Sequence, residues 1–247
     1  MRKPHILSGY QRFILRLRRG FTLVELLVTI AIISILSALI LPLLRKARME
    51  AGKVACSSNL RQIGLGFFLY LQDFDSTFPI AQDPVSTSPY YWLWMGRGWR
   101  GFLAPYILRS ISPDNPSVLF CPQDRTAPHK WESTSYGYSM SFYHSPEQIN
   151  TMKDKSYTYD SSKILPSIPQ RLPQVNSPTK KAMVGEWLSN HYPLKADPGW
   201  WGWEGGRNFL FVDGHVSFLW AGEMLPANDG YPDINLTVDG IKGRDIP

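Results

Sequence analysis

The feature that most constrains this chain is the apolar run from Phe21 to Leu44, which contains one acid, Glu25, and one proline, Pro42. At about 1.5 Å per residue in a helix, such a run is long enough to cross a hydrocarbon core of about 30 Å. A carboxylate inside a span is expensive and marks a functional position by default. Ahead of the run, residues 1–20 carry Arg2, Lys3, Arg12, Arg16, Arg18 and Arg19 and no acid. Positive charge flanking a first span stays cytoplasmic, so the rest of the chain is expected on the far side.

That leader also explains the charge balance. The chain has 26 basic and 20 acidic residues, and the six leader bases make up the whole excess. Without them the net charge is zero. The pI near 9.3 is therefore a property of the leader and gives no support for nucleic-acid binding, which needs a basic patch on a folded domain.

An ordinary secretory signal places its cleavage site after a short apolar core. Here the candidate cut, Gly20-Phe21, precedes the apolar run, so cleavage leaves the membrane segment on the mature protein. This arrangement resembles the class III signal of type IV pilins and type II secretion pseudopilins. The resemblance implies that the prepilin peptidase cuts after Gly20 and methylates Phe21. Glu25 becomes the fifth mature residue, and Pro42 falls where pilins carry a helix-kinking proline. In an assembled filament, a neighbour's amino-terminal ammonium beside Glu25 neutralises both charges away from water and sets the register of adjacent subunits.

Apolar positions continue past Arg45 at Cys56, Leu60, Ile63, Phe67, Tyr70 and Leu71, the stripe of an amphipathic helix. The spacing predicts one helix ending near Asp73, its first part (21–44) in the membrane and its second (45–73) as the spine of a head. Gly64 and Gly66 suggest close approach of a packed sheet. Residues 74–247 complete the extracytoplasmic head. After Phe78, closely spaced turn signals such as Asp83-Pro84, Ser88-Pro89, Ser112-Pro113 and Asn115-Pro116 predict loops and short strands without further long helices. Residues 150–178, rich in Ser, Lys and Pro, read as a flexible insertion. Residues 208–219 read as a hairpin turning at Asp213-Gly214, a pair favoured in tight turns. The expected fold is α+β: a long helix packed on a small antiparallel sheet.

Several later segments resemble a subgroup of prepilin-processing-associated proteins named for a histidine, nine residues and Asp-Gly. Residues 56–65, Phe120-Cys121-Pro122, Ser135–Tyr138 and Gly205–Val216 match its blocks. One departure matters: the histidine expected ten positions before Asp213 is Trp203, so no role of that histidine transfers.

Residues that could carry chemistry are few. The five histidines (His5, His129, His144, His191 and His215) have no metal-ligand spacing, so neither catalytic nor metal-ligating residues are expected. His215 beside Asp213-Gly214 is read as part of a structural turn. Asn228-Asp229-Gly230, Asp233 and Asp239-Gly240 offer oxygen-rich loops that suit calcium, without a recognisable calcium spacing. Trp92, Trp94 and Trp99, and Trp200, Trp201 and Trp203, form either core or exposed stacking platforms. Cys56 and Cys121 both fall in the exported head, where a disulfide can persist; the alternative is two buried thiols.

The sequence therefore points to a non-enzymatic, pilin-like subunit of the inner membrane, its head periplasmic and its partners the prepilin peptidase and other pilin-like subunits. The alternative is a membrane-anchored module whose aromatic loops bind glycan or another envelope component.

Overall fold

The structure, a computed structural model, describes residues 20–80, 94–107, 118–124, 135–158, 160–163 and 165–247. The leader up to Arg19, residues 81–93 with Trp92, the turn signals from Asp83 to Pro89 and from Ser112 to Pro116, and His129 lie outside these residues.

One helix, α1, runs from Leu23 to Asp73 and passes through Pro42. Pro42 has no N–H to offer the carbonyl of Ala38, the bond a helix would otherwise make there. The chain divides within α1 into two units, Met1–Arg45 and Lys46–Pro247. In the first, every described residue from Phe21 to Leu44 is exposed. In the second, Cys56, Leu60, Ile63 and Phe67 are fully buried, and Tyr70 and Leu71 nearly so. The stripe read from the sequence is the buried face. α1 stops where Asp75 and Ser76 turn left-handed (φ 49° and 57°). The Ser76 N–H reaches back to the Leu71 carbonyl at 2.8 Å, satisfying an orphan helix acceptor.

The buried face of α1 meets a four-stranded antiparallel sheet in the order β1-β2-β3-β4. The strands are β1 (Tyr136–Tyr138), β2 (Ala182–Glu186), β3 (Gly206–Phe211) and β4 (Val216–Trp220). A Cβ on Gly64 would come within 3.0 Å of the Leu210 side chain, so glycine lets α1 approach β3 closely. β2 and β3 are buried on both faces. On the face toward α1, Val184, Leu210 and Val212 join the main core. On the other, Phe209 and Phe211 pack with Trp200, Met224 and Ile234. A register shift between Ala182 and Val184 accounts for Ala182 joining the second cluster although it lies two residues from Val184.

A second helix, α2 (Trp94–Ile107), corrects the expectation of loops after Phe78. Its glycines and Pro105 hide its period, but Trp99 and Leu103, one turn apart, are buried, and Trp99 stacks on Phe67 with centroids 5.8 Å apart. Packing on α1 outweighs weak propensity here. A short helix, α3 (Pro146–Thr151), opens with a capping box between Ser145 and Gln148. Phe120-Cys121-Pro122 lies in a turn closed by Asp124 N–H on the Cys121 carbonyl at 2.9 Å. The described part of 150–178 begins with the end of α3 and continues as irregular chain with short 3-10 turns at Lys155–Thr158, Ser161–Lys163 and Leu172–Gln174. Its later part is tied down: Phe78 donates to the Gln170 carbonyl and Leu172 to the Ser76 carbonyl.

The last strap of chain closes over the sheet through a buried ion pair. Lys181 Nζ lies 3.1 Å from Asp245 Oδ2 and 2.5 Å from Thr237 Oγ1. Burial lowers the Lys181 pKa, and Asp245 opposes that shift. Asp245 also accepts from the Ala182 N–H at 2.7 Å, so one carboxylate fixes both strand and strap.

Candidate functional site

The first candidate site is the start of α1. Gly20 and Phe21 precede the helix, and Phe21 is 73% exposed. Thr22 and Glu25 form a capping box: Thr22 donates to Glu25 Oε2 from its N–H (2.9 Å) and its hydroxyl (2.7 Å). The Glu25 N–H returns to Thr22 Oγ1 at 3.2 Å. A carboxylate in the first turn also meets the positive end of the helix dipole. The sequence reading missed this cap, although Thr-x-x-Glu before an apolar run is its signature. Farther along, Thr29 and Ser34 turn their hydroxyls onto the Leu26 and Ile30 carbonyls at 2.8 and 2.7 Å. Glu25 is thus the one ionisable group of the run. α1 is the one described helix long and apolar enough to cross a membrane.

In the head, Asp213 and His215 touch. The alternation of strand faces does not separate them, because they lie two residues apart within the turn. His215 donates its backbone N–H to Asp213 Oδ1 at 3.1 Å, and its Nδ1 lies 2.6 Å from the same oxygen. The ring stacks on Phe211, centroids 4.3 Å apart. Gly214 takes φ 91°, where other residues strain. These contacts hold the turn of the hairpin between β3 and β4, and the Asp213 N–H reaches outside it to the Pro178 carbonyl at 3.4 Å.

The acidic loops do not converge on a cation. Asp233 is buried, with Oδ1 accepting from the Asn235 N–H (2.9 Å) and Oδ2 from Trp201 Nε1 (3.1 Å). Burial, then Asp229, raises its pKa to about 7. Asp239 is turned to Asn150 at 2.9 Å. Among the described residues, these acids do not gather into a group of three ligands. Of the tryptophans, Trp99 and Trp200 are core and Trp203 is 44% exposed. Trp203 flanks a shallow cavity with Asp197, Pro198 and Glu204. Asp197 is already committed to Arg207 and to the Ser189 N–H.

A polar centre that the sequence did not reveal lies where α1, the Cys121 turn, β2, β3 and the loop after β2 meet. Cys56 and Cys121 are joined by a disulfide, with Cα atoms 5.1 Å apart. Beside it, His191 Nε2 is 2.8 Å from Glu186 Oε1 and 3.9 Å from Cys121 Sγ. Glu186 Oε2 accepts from the Asn208 N–H (2.7 Å) and side-chain amide (3.1 Å). His191 Nδ1 is 2.6 Å from Gln123 Oε1, and Gln123 is anchored through Nε2 on the Arg48 carbonyl at 2.7 Å. Glu186, an acid closing the buried run Ala182–Glu186, was the available sequence signal.

A family model of the prokaryotic N-terminal methylation motif matches residues 15–41. No curated protein and no solved structure matches the chain. The motif supports a pilin-like, prepilin-type protein, and with one apolar N-terminal helix it supports a single-pass membrane anchor.

Proposed function

We propose that this chain is a structural subunit of an envelope filament of the type II secretion or type IV pilus kind. The prepilin peptidase cuts between Gly20 and Phe21 and methylates Phe21. The mature protein then sits in the inner membrane with its amino terminus cytoplasmic and its head periplasmic. The first part of α1 packs against the same segment of other pilin-like subunits, with Pro42 kinking the helix. The chain is a substrate of the peptidase and catalyses no reaction itself. The likeness of the head's blocks to the prepilin-processing-associated subgroup supports a place among such proteins, despite Trp203.

The observation that carries the reading is the apolar helix exposed on every side, whose single carboxylate is held by its own Thr22. Closing the cap with Thr22 needs no charge, since a glutamine serves the same box, whereas a filament can seat a neighbour's ammonium beside the carboxylate. The test has two arms. Intact mass of the membrane-extracted protein is expected to show loss of residues 1–20 plus one methyl group; an intact leader overturns the processing assignment. In mixed expression, Glu25→Leu is expected to insert as well as wild type and to be excluded from filaments. Equal incorporation overturns the role of Glu25 in assembly.

A further inference from the structure

The Cys56–Cys121 disulfide lies beside Glu186 and His191, and these four residues are all buried, with one ligand atom of each within 4.8 Å of the others. We propose that, when the disulfide is reduced, Cys56, Cys121, His191 and Glu186 form a four-coordinate site for a zinc-class divalent cation, and that bond and cation are alternative occupants of one place.

The donor set is of the type tetrahedral zinc takes: two thiolates, one imidazole and one carboxylate. Metal–ligand bonds of about 2.0–2.3 Å place tetrahedral ligand atoms roughly 3.3–3.8 Å apart. The group needs a contraction of about 1 Å and a parting of the two sulfurs, which side-chain rotation supplies. The surroundings already have the form that metal sites require. A ligating histidine donates its second ring N–H to a fixed acceptor, and Gln123 Oε1 stands 2.6 Å from His191 Nδ1. The orientation of Gln123 is set by its amide nitrogen on the α1 carbonyls of Arg48 and Met49. His191 Nδ1 therefore carries the proton, and Nε2 faces Glu186 and the sulfur. A ligating carboxylate is held through its other oxygen, as Asn208 holds Glu186 Oε2. Among the described residues, no other group of three or more Cys, His, Asp or Glu comes together in this way.

The exchange balances. A dithiol delivers two electrons and two protons to the disulfide, leaves as its own disulfide, and produces two thiols. A divalent cation then displaces both thiol protons and the single proton shared by His191 Nε2 and Glu186 Oε1. Three protons are released and the site is left with one net negative charge. A disulfide that takes two electrons and two protons, leaving as its dithiol, reoxidises the two thiolates; the cation departs and the third proton returns between His191 Nε2 and Glu186 Oε1. The inference concerns the head alone and does not depend on the filament reading.

The test uses the full-length protein in detergent, reduced with a phosphine that does not compete as a thiolate, and Zn²⁺ or Co²⁺ as the probe. One Zn²⁺ per chain is expected to bind the reduced protein at least 100-fold more tightly than the oxidised one. Co²⁺ in the reduced protein is expected to show intense tetrahedral d–d bands and a thiolate-to-metal charge-transfer band. Equal Zn²⁺ affinity in both redox states overturns the proposal, as does a weak octahedral Co²⁺ spectrum. Glu186→Gln and His191→Gln are expected to weaken binding by 10- to 100-fold, and unchanged affinity in either overturns its role as a ligand. If reduction unfolds the head, Zn²⁺ is expected to restore its near-ultraviolet dichroism, and failure to do so also overturns the proposal.

Discussion

The two parts of α1 share one backbone geometry and answer to different surroundings. From Phe21 to Leu44 apolar side chains point in every direction and none is covered; in the second part Cys56, Leu60, Ile63, Phe67, Tyr70 and Leu71 line one covered stripe, while Leu65 and Leu69 stay exposed off it. The first pattern suits a lipid environment, where every face of a lone helix meets hydrocarbon. The second suits a helix with water on one side and a sheet on the other. The lesson is that helicity is common to both parts, and the distribution of apolar residues around the axis separates anchor from spine. Polar groups follow the same division. In the first part, hydroxyls and the single carboxylate bond to their own helix within four residues. In the second, Asn59 reaches Phe120, across the fold.

The largest expected difference is in stability. Phe67 is fully buried and touches Trp99 and Tyr138, so Phe67→Ala is expected to cost about 3–5 kcal/mol of head stability. Leu36→Ala, at a position half-exposed in the lone chain, is expected to change head unfolding by less than about 0.5 kcal/mol. Thermal unfolding in detergent, followed by near-ultraviolet dichroism, measures both. Comparable losses would mean that the head's stability depends on the membrane segment, and the division would fail.

How far the sequence discloses each region follows from where the interacting residues lie. The α1 stripe is legible because its partners in the pattern are three or four residues apart. The β3–β4 hairpin is legible because Asp213-Gly214 is local turn chemistry, and here Gly206 pairs with Trp220 through to Leu210 with Val216. α2 is not legible, since three glycines and Pro105 contradict a helix stabilised by distant partners, Phe67 and Tyr70 on α1 and Tyr138 on β1. The Glu186–His191–Asn208–Gln123 centre is hidden for a related reason. Gln123 and His191 are 68 residues apart, and no spacing rule links residues that only the fold brings together. The α1 start shows the opposite case: Gly20, Phe21 and Glu25 are read from one short segment, because a peptidase reads that segment too.

A second, smaller effect contrasts two carboxylates in apolar surroundings, Glu25 on the anchor and Asp233 in the head. Folded Asp233 keeps its proton up to about pH 7, chiefly because it is buried and then because Asp229 is near. An unfolded aspartate releases its proton near pH 4. Between these values the folded state binds more protons, so stability falls as pH rises through the window and the loss is complete above about pH 7. The full linkage for a shift of that size is up to about 4 kcal/mol, with relaxation and water entry reducing it. Unfolding midpoints at pH 5 and pH 8 are expected to differ less in Asp233→Asn than in wild type. The same slope in both proteins would assign the pH dependence elsewhere.

The smallest effect sets the two capping boxes against each other. Ser145 accepts from the Gln148 N–H at 3.2 Å, and Gln148 Oε1 accepts from the Ser145 N–H at 3.0 Å. Thr22 and Glu25 repeat the arrangement at the start of α1. α3 is packed into the head through Ile149, which is fully buried, so loss of its cap is felt by the whole cooperative unit. Ser145→Ala is expected to cost about 1 kcal/mol, or roughly 2–4 °C in a domain of this size. Thr22→Ala removes an equivalent hydroxyl from a segment outside that unit. It is expected to leave the head's midpoint unchanged while removing one of the two Thr22 donors that hold Glu25. If the carboxylate's position matters to a neighbour's amino terminus, Thr22→Ala should reduce incorporation into filaments by less than Glu25→Leu does. A lowered head midpoint in Thr22→Ala would show that the two parts of α1 unfold together, against the division drawn from their surfaces.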